Sequence, residues 1–133
     1  MKKLLCIAGL VLALRCGAGQ TDLNKFIQAL NQVETGGKSG KIIGDNGAAL
    51  GPLQIHYEYW LDSKTPGKYS QVVDYEYSKK VATNYFKLYG REYLARGDWE
   101  SLARLHNAGL GWKRNKKATN LYWNKVNRAL SKF

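Results

Sequence analysis

The chain has 133 residues, a length that supports one compact domain. Its formal net charge is +11, and its two cysteines, Cys6 and Cys16, both lie near its start. A domain that begins after them is predicted to hold neither a disulfide nor a cysteine-ligated metal site. The excess of Lys and Arg favours an anionic partner such as bacterial cell wall, nucleic acid or an anionic membrane. A merely solubilising basic surface would have the same composition.

The start of the chain has the layout of a secretory signal peptide. A basic start precedes an apolar stretch from Leu4 to Leu14, and small residues follow. The apolar stretch is shorter than the roughly 20 residues of a membrane-spanning helix. We therefore predict a signal peptide over residues 1–19, a mature domain over 20–133, and a secreted or periplasmic protein. The alternatives are a buried N-terminal helix and a lipid-bearing Cys16, and the neighbouring Arg15 argues against the second.

The rest of the chain is predicted to be mainly helical. Thr21 or Asp22 is expected to cap a first helix, which Gly36-Gly37 ends. Asp45-Asn46-Gly47 predicts the turn of a small β-hairpin, and Pro52 is expected to open a second helix. Further helices are predicted from about Val72 to Tyr89, from Asp98 to Gly109, and from about Thr119 onward. The predicted fold class is mainly α (α+β), with a small β-hairpin in a single domain.

Two of the carboxylates stand out by their positions. Glu34 falls in the last turn of the first predicted helix, where the negative end of the helix dipole disfavours ionisation. Asp45 follows in a polar, glycine-rich turn that keeps a carboxylate ionised and lets a substrate approach the backbone. The remaining carboxylates are interpreted as helix caps or solvated surface residues. One proton donor and one ionised carboxylate are what cleavage of a glycosidic bond requires, so the pair predicts a polysaccharide hydrolase.

Several motifs follow one another in a characteristic order. They are Glu34, Gly44-Asp45, Gly51-Pro52-Leu53-Gln54-Ile55, Tyr59-Trp60, Asp62, Ala103-Arg104-Leu105-His106-Asn107-Ala108-Gly109 and Tyr122-Trp123. This order, over nearly all of the domain, resembles the invertebrate-type (destabilase-like) lysozymes. The spacing of Asp45 and Gln54 is also similar to goose-type lysozymes, and His106 to Gly109 is similar to a segment of lytic transglycosylases. The chain departs from the invertebrate type in lacking its many cysteines and in a shorter interval between Glu34 and Gln54.

The resemblance implies a lysozyme-like fold with the hairpin beside a catalytic cleft. It implies hydrolysis of the β-1,4 bond between N-acetylmuramic acid and N-acetylglucosamine in peptidoglycan. Glu34 would be the general acid, and Asp45 the nucleophile or the stabiliser of an oxocarbenium-like transition state. Two alternatives stay open: a lytic transglycosylase that uses Glu34 alone, and a non-catalytic protein that binds cell wall.

Five residues are candidates for binding the sugar. Gln54 is expected to line the floor of the cleft, and Trp112, which follows two glycines, is expected to be exposed and to stack on a sugar ring. Tyr59 is either such a platform or part of the core, with the core favoured. His106 and Asn107 either hydrogen-bond sugar hydroxyl or acetamido groups or form a buried network at a helix end.

No metal or organic cofactor is predicted, because the two histidines, His56 and His106, lie far apart in the sequence. The predicted partner is peptidoglycan, bound by a monomer without stable membrane association. Residues 101–133 hold eight Lys or Arg and no acidic residue, and this part is expected to hold the enzyme to an anionic wall. Nucleic-acid binding ranks last, since no recognisable motif accompanies the charge.

Overall fold

The computed structural model describes the backbone of residues 13–133 and the side chains from residue 19 onward. The described part is mainly helical, with one small antiparallel sheet. The helices are α1 (Ala13–Thr35), α2 (Tyr57–Ser63), α3 (Tyr75–Tyr89), α4 (Arg91–Arg96), α5 (Trp99–Ala108) and α6 (Asn120–Leu130). The strands are β1 (Ile43–Gly44), β2 (Ala49–Leu50) and β3 (Ile55–His56). The predicted fold class, mainly α with a small β-hairpin, is confirmed.

Helix α1 lies against α6 and contributes one continuous face to the core. The buried residues of this face are Leu23, Phe26, Ile27 and Leu30. They recur at intervals of three and four, the spacing that brings side chains to one side of a helix. Glu34 comes four residues after Leu30 and therefore continues the same face. The helical period thus places its carboxyl group at the edge of the core.

The three strands form a sheet in the order β1-β2-β3. Gly44 pairs with Ala49, and Ala49 pairs with His56. Between β1 and β2 the chain makes a 3₁₀ turn in which Asp45 and Asn46 have positive φ angles of 48° and 55°. Asp and Asn tolerate this left-handed backbone better than other residues with side chains. The predicted hairpin is confirmed, and its turn carries Asp45.

Pro52 does not open a helix, so that prediction is wrong. It lies in a buried turn before β3, and α2 begins only at Tyr57. Asn31 Nδ2 and Thr35 Oγ1 donate hydrogen bonds of 3.1 and 2.9 Å to the Pro52 carbonyl. Because these side chains come from the last turns of α1, the turn is fixed beside the helix end that carries Glu34.

The predicted start of the first helix is also wrong, and the helix predicted from near Val72 begins at Tyr75, whereas the start predicted at Asp98 is confirmed. Helix α1 extends back to Ala13, so Thr21 and Asp22 lie within it. Asp74 accepts a hydrogen bond of 2.9 Å from the Tyr77 amide, and Asp98 accepts one of 3.1 Å from the Ser101 amide. The two aspartates satisfy otherwise unpaired amides at the starts of α3 and α5.

Within residues 13–133, no helix is long and apolar enough to cross a membrane. The predicted signal peptide falls mostly on residues 1–12, which lie outside the described residues. The signal peptide and the secretion that it implies stay predictions.

Candidate active site

Glu34 is shielded from water at the end of α1. Its side chain is 19% exposed, and the Tyr122 hydroxyl donates a hydrogen bond of 2.8 Å to Oε1. Burial raises the pKa of Glu34 to about 7, because a charged carboxylate is poorly solvated there. The hydrogen bond from Tyr122 lowers this pKa, the negative charge of Asp45 raises it, and His56 lowers it. Glu34 is therefore a carboxylic acid that still holds its proton close to neutral pH.

His106 lies beside Glu34 and is neutral. Its Nε2 is 3.1 Å from the Leu53 carbonyl oxygen, which can only accept, so Nε2 carries the hydrogen. Nδ1 then accepts a hydrogen bond of 2.9 Å from the Tyr59 hydroxyl. Burial lowers the pKa of His106 to about 4, so the 3.6 Å approach of Nε2 to Glu34 Oε1 is not an ion pair at neutral pH. The ring adds no positive charge that would ionise Glu34.

Asp45 is in a different setting from Glu34. Its side chain is 69% exposed, and its Oδ2 lies 2.9 Å from His56 Nε2. A carboxylate can only accept, so His56 donates through Nε2 and fixes one of the two oxygens of Asp45. The other oxygen is left for a substrate. The fold thus places the two carboxyl groups in unlike surroundings, one shielded and one solvated.

Both carboxyl groups line one cavity of about 400 Å³. Other residues lining this first cavity are Gln54, His56, His106, Asn107, Leu121, Tyr122 and Lys125. A second cavity of about 410 Å³ shares Gln54, His56, His106 and Asn107 with the first and extends to Glu58, Asp62 and Leu110. Because the two cavities share these residues, they form one groove. We use "the groove" for both cavities together.

Gln54 lines both cavities and also ties the sheet to the turn at its base. Its Nε2 donates hydrogen bonds of 3.1 Å to the Ile42 carbonyl and 2.9 Å to the Gly51 carbonyl. A Cβ atom on Gly44 would clash with the Gln54 side-chain oxygen, so a larger residue at that point of β1 would have to displace the Gln54 amide. The amide of Gln54 therefore supports the backbone that leads to Asp45.

Trp112 is not an exposed platform, so that prediction is wrong. Only 8% of its surface is exposed, and its ring meets Tyr93 edge-on at a centroid distance of 6.3 Å. The glycines before it let the chain turn back, and the indole gains more from burial than from contact with water. It lines neither of the two cavities of the groove.

Two other predicted residues, Tyr59 and Asn107, both line the second cavity. One face of the Tyr59 ring stacks on Tyr85 at a centroid distance of 3.8 Å, and its hydroxyl is bound to His106. Tyr59 therefore belongs to the supporting network, as does His106. Asn107 is exposed and also lines the first cavity, so its amide is free to meet a ligand.

Sequence reasoning assigned no role to His56 or Tyr122, although each contacts one of the two carboxyl groups. His56 stands directly after the Gln54-Ile55 pair, but that segment was predicted to be a helix. As a strand, it brings His56 alongside the hairpin that carries Asp45. Tyr122 belongs to the Tyr-Trp pair near the C-terminus, and only the packing of α6 on α1 brings it to Glu34.

No protein-family model matches the chain, and no curated protein is found to match it. Of the residues that the structure describes, no three or more His, Cys, Asp or Glu are grouped so that they could hold a metal ion.

Proposed function

We propose that the protein is a lysozyme, secreted or periplasmic, that hydrolyses the β-1,4 bond between N-acetylmuramic acid and N-acetylglucosamine in peptidoglycan. The observation that carries this proposal is the contrast between two carboxyl groups in one cavity. The pKa of Glu34 is raised to about 7 by burial, whereas the Asp45 side chain is 69% exposed. A protonated acid and a solvated carboxylate are the two groups that glycosidic cleavage needs.

Glu34 donates its proton to the glycosidic oxygen as the bond to the leaving sugar breaks. Proton donation leaves a carboxylate, which the Tyr122 hydroxyl stabilises through its hydrogen bond to Oε1. The same bond holds the side chain in one orientation, so the proton is presented at a fixed place. After the first product leaves, a water molecule can enter. Glu34, now a carboxylate, can act as a base toward this water or regain its proton from it.

Asp45 supplies the negative charge that an oxocarbenium-like transition state requires. His56 holds Oδ2, which leaves Oδ1 to face the sugar carbon or a water molecule. Asp45 adopts a positive φ that aspartate tolerates, and the hairpin turn thereby brings its carboxylate to the wall of the first cavity.

The shape and composition of the groove support a polymer as the substrate. Two cavities of about 400 and 410 Å³ share residues, which gives room for more than one sugar along the groove. Asn107 and Gln54 line both, and an amide can hydrogen-bond sugar hydroxyl and acetamido groups. We assign the catalytic domain to residues 20–133, acting as a monomer.

A lytic transglycosylase is the second candidate, favoured by the exposure of Asp45. Glu34 is contacted by Tyr122 and His106, and Asp45 takes part in neither contact. In this alternative, Glu34 first protonates the leaving oxygen and then removes a proton from the sugar's own hydroxyl. The product is an anhydro sugar instead of a reducing end.

Mass spectrometry of digested peptidoglycan tests the proposal. Wild-type protein is expected to release fragments with reducing ends, and anhydro ends would instead establish the transglycosylase. Glu34→Gln is expected to abolish release while leaving wall binding intact. Glu92→Gln, which removes an exposed carboxylate of α4 that lines neither cavity, is the matched control and should retain activity. Wild-type protein that binds purified wall and releases nothing would refute the enzyme and favour a non-catalytic binding protein.

A further inference from the structure

The positive charge of the domain is concentrated in its last quarter. Residues 20–100 contain ten Lys or Arg and ten Asp or Glu, so this part is formally neutral. Residues 101–133 contain eight Lys or Arg and no acidic residue. If the positive charge served only solubility, the excess of Lys and Arg over Asp and Glu would be spread along the whole chain. The observed asymmetry points to one surface with an anionic partner.

Four of these cations lie in one short stretch, residues 113–117, which we call the basic segment. Its cations are Lys113, Arg114, Lys116 and Lys117, and all four side chains are exposed. The segment belongs to a stretch of 3₁₀ turns, Trp112–Thr119, whose first and last side chains are buried. Both ends are therefore fixed to the core, while the cations between them face solvent.

The buried side chain of Arg104 fixes the basic segment to the domain. Its guanidinium is buried, and Nη1 donates hydrogen bonds of 2.9 Å to the Lys116 carbonyl and 2.8 Å to Thr119 Oγ1. Its own charge is compensated by Glu100, with Nη2 and Oε2 3.2 Å apart. The segment is thus ordered before any ligand arrives, which reduces the entropy lost on binding.

Most of the charge on this surface is available to a ligand. Lys116 Nζ lies 3.6 Å from Glu100 Oε2, and Lys113 Nζ lies 5.8 Å from the ring centre of Trp112. Arg114 and Lys117 make no ion pair with the described residues. The surface also reaches the groove, because Ala118 follows the segment directly and lines the first cavity together with Lys125 of α6.

We infer that the basic segment is a second binding site, for an anionic phosphodiester polymer attached to the glycan strand that the groove holds. This inference rests on the proposed function, which assigns the glycan to the groove. A phosphodiester polymer repeats its negative charge along the chain, so it can meet several neighbouring cations at once. An isolated carboxylate of a wall peptide meets only one or two.

Two other polyanions fit this surface less well. Nucleic acid bound as a single strand stacks its bases on exposed aromatic rings, and Trp112 beside the segment is buried. A membrane surface takes up a continuous apolar face of an amphipathic helix. On α6, Val126 and Ala129 are buried against the rest of the domain, and the exposed Leu121 lines the first cavity. Both are outcomes that the experiment can detect.

The test measures binding to purified cell walls in the Glu34→Gln background, so that the walls are not digested. The test variant changes all four cations of the basic segment to Gln. The matched control changes four exposed lysines of the neutral part, Lys25, Lys68, Lys80 and Lys87, to Gln and so removes the same net charge. Each protein is sedimented with intact walls, with walls whose phosphodiester polymer has been removed by cold hydrofluoric acid, and with anionic vesicles, and its binding to single-stranded DNA is titrated in the same buffer.

We expect the test variant to bind intact walls roughly tenfold more weakly at moderate salt than its parent, and the control to bind like the parent. The slope of log affinity against log salt should fall by up to about 3, since each phosphate contact of a flexible strand contributes about 0.7. On stripped walls the parent should bind no better than the test variant. Thermal unfolding checks that both variants fold.

Three results would overturn the inference. They are equal losses in the test variant and the control, undiminished binding of the parent to stripped walls, and stronger selective binding to anionic vesicles or single-stranded DNA than to walls. The proposed function is tested separately, by wild-type release of sugar fragments. Its failure therefore stays distinguishable from the failure of this binding site.

Discussion

The Tyr122 hydroxyl donates a hydrogen bond of 2.8 Å to Glu34 Oε1, although the two residues lie 88 positions apart. The contact joins α6 to the end of α1, the two helices that pack against each other. This hydrogen bond opposes the effect of burial on the pKa of Glu34, because burial raises that pKa and a donated hydrogen bond lowers it. The balance leaves the carboxyl group protonated close to neutral pH and held in one orientation.

Tyr122→Phe removes that hydrogen bond while keeping the ring. Without the donor, the pKa of Glu34 should rise further, so the protonated acid should persist to higher pH. The basic limb of the activity profile is expected to move to higher pH. Activity at the optimum should fall about tenfold, because the carboxyl group is less well oriented. Activity on peptidoglycan from pH 4 to 10 checks both effects. Tyr75→Phe is the control, since Tyr75 lines neither cavity of the groove, and a profile that moves to lower pH would contradict the assignment.

The raised pKa of Glu34 also predicts how stability depends on pH. A carboxyl group whose folded pKa is about 7 and whose unfolded pKa is 4.5 stabilises the fold below the lower value. This contribution is lost as pH rises through 7, because ionisation is easier in the unfolded chain. The stability of wild type relative to Glu34→Gln should fall by roughly 3 kcal/mol between pH 4 and pH 8. Urea unfolding at each pH measures this, and equal pH dependence in both proteins would disprove it.

The lowered pKa of His106 predicts the opposite pH dependence of stability. Burial lowers its pKa from 6.5 to about 4, so its contribution is fully present above 6.5 and is lost as pH falls through 4. His106→Gln should remove this acid-sensitive component, which amounts to roughly 3 kcal/mol. At pH 7 the variant should be less stable by about 2 kcal/mol, because Leu53 and Tyr59 lose a buried hydrogen-bond partner. NMR titration of the imidazole provides a direct check, and a midpoint near 6.5 would contradict it.

The sequence was sufficient to place Glu34 in the last turn of α1, because the helical period that buries Leu23, Phe26, Ile27 and Leu30 also determines where the next residue of that face lies. The Asp-Asn-Gly turn likewise predicted the hairpin, since its conformation depends mostly on local backbone preferences. Local patterns do not reveal the partners of the two carboxyl groups. The contact of Tyr122 with Glu34 depends on helix packing across the domain.

Local signals were misleading at Pro52 and Trp112. Proline is favoured at a helix start, but the bonds from Asn31 and Thr35 to its carbonyl fix it in a turn. The glycines before Trp112 suggested an exposed loop, whereas the segment folds back and buries the indole. In both cases, contacts with distant parts of the chain outweighed the preference of the local sequence.

A double-mutant cycle on Asp45 and His56 tests the second carboxylate. If Asp45 acts in hydrolysis, Asp45→Asn should lower kcat by at least about 100-fold, in the range of lost acid–base groups. His56→Gln should lower kcat about tenfold, because Asp45 Oδ2 loses the donor that fixes it at 2.9 Å. In the Asp45→Asn background the same change at His56 should cost little, since its partner no longer carries charge. Additive losses would show that His56 acts independently of Asp45, and near-normal activity of Asp45→Asn would favour the transglycosylase that uses Glu34 alone.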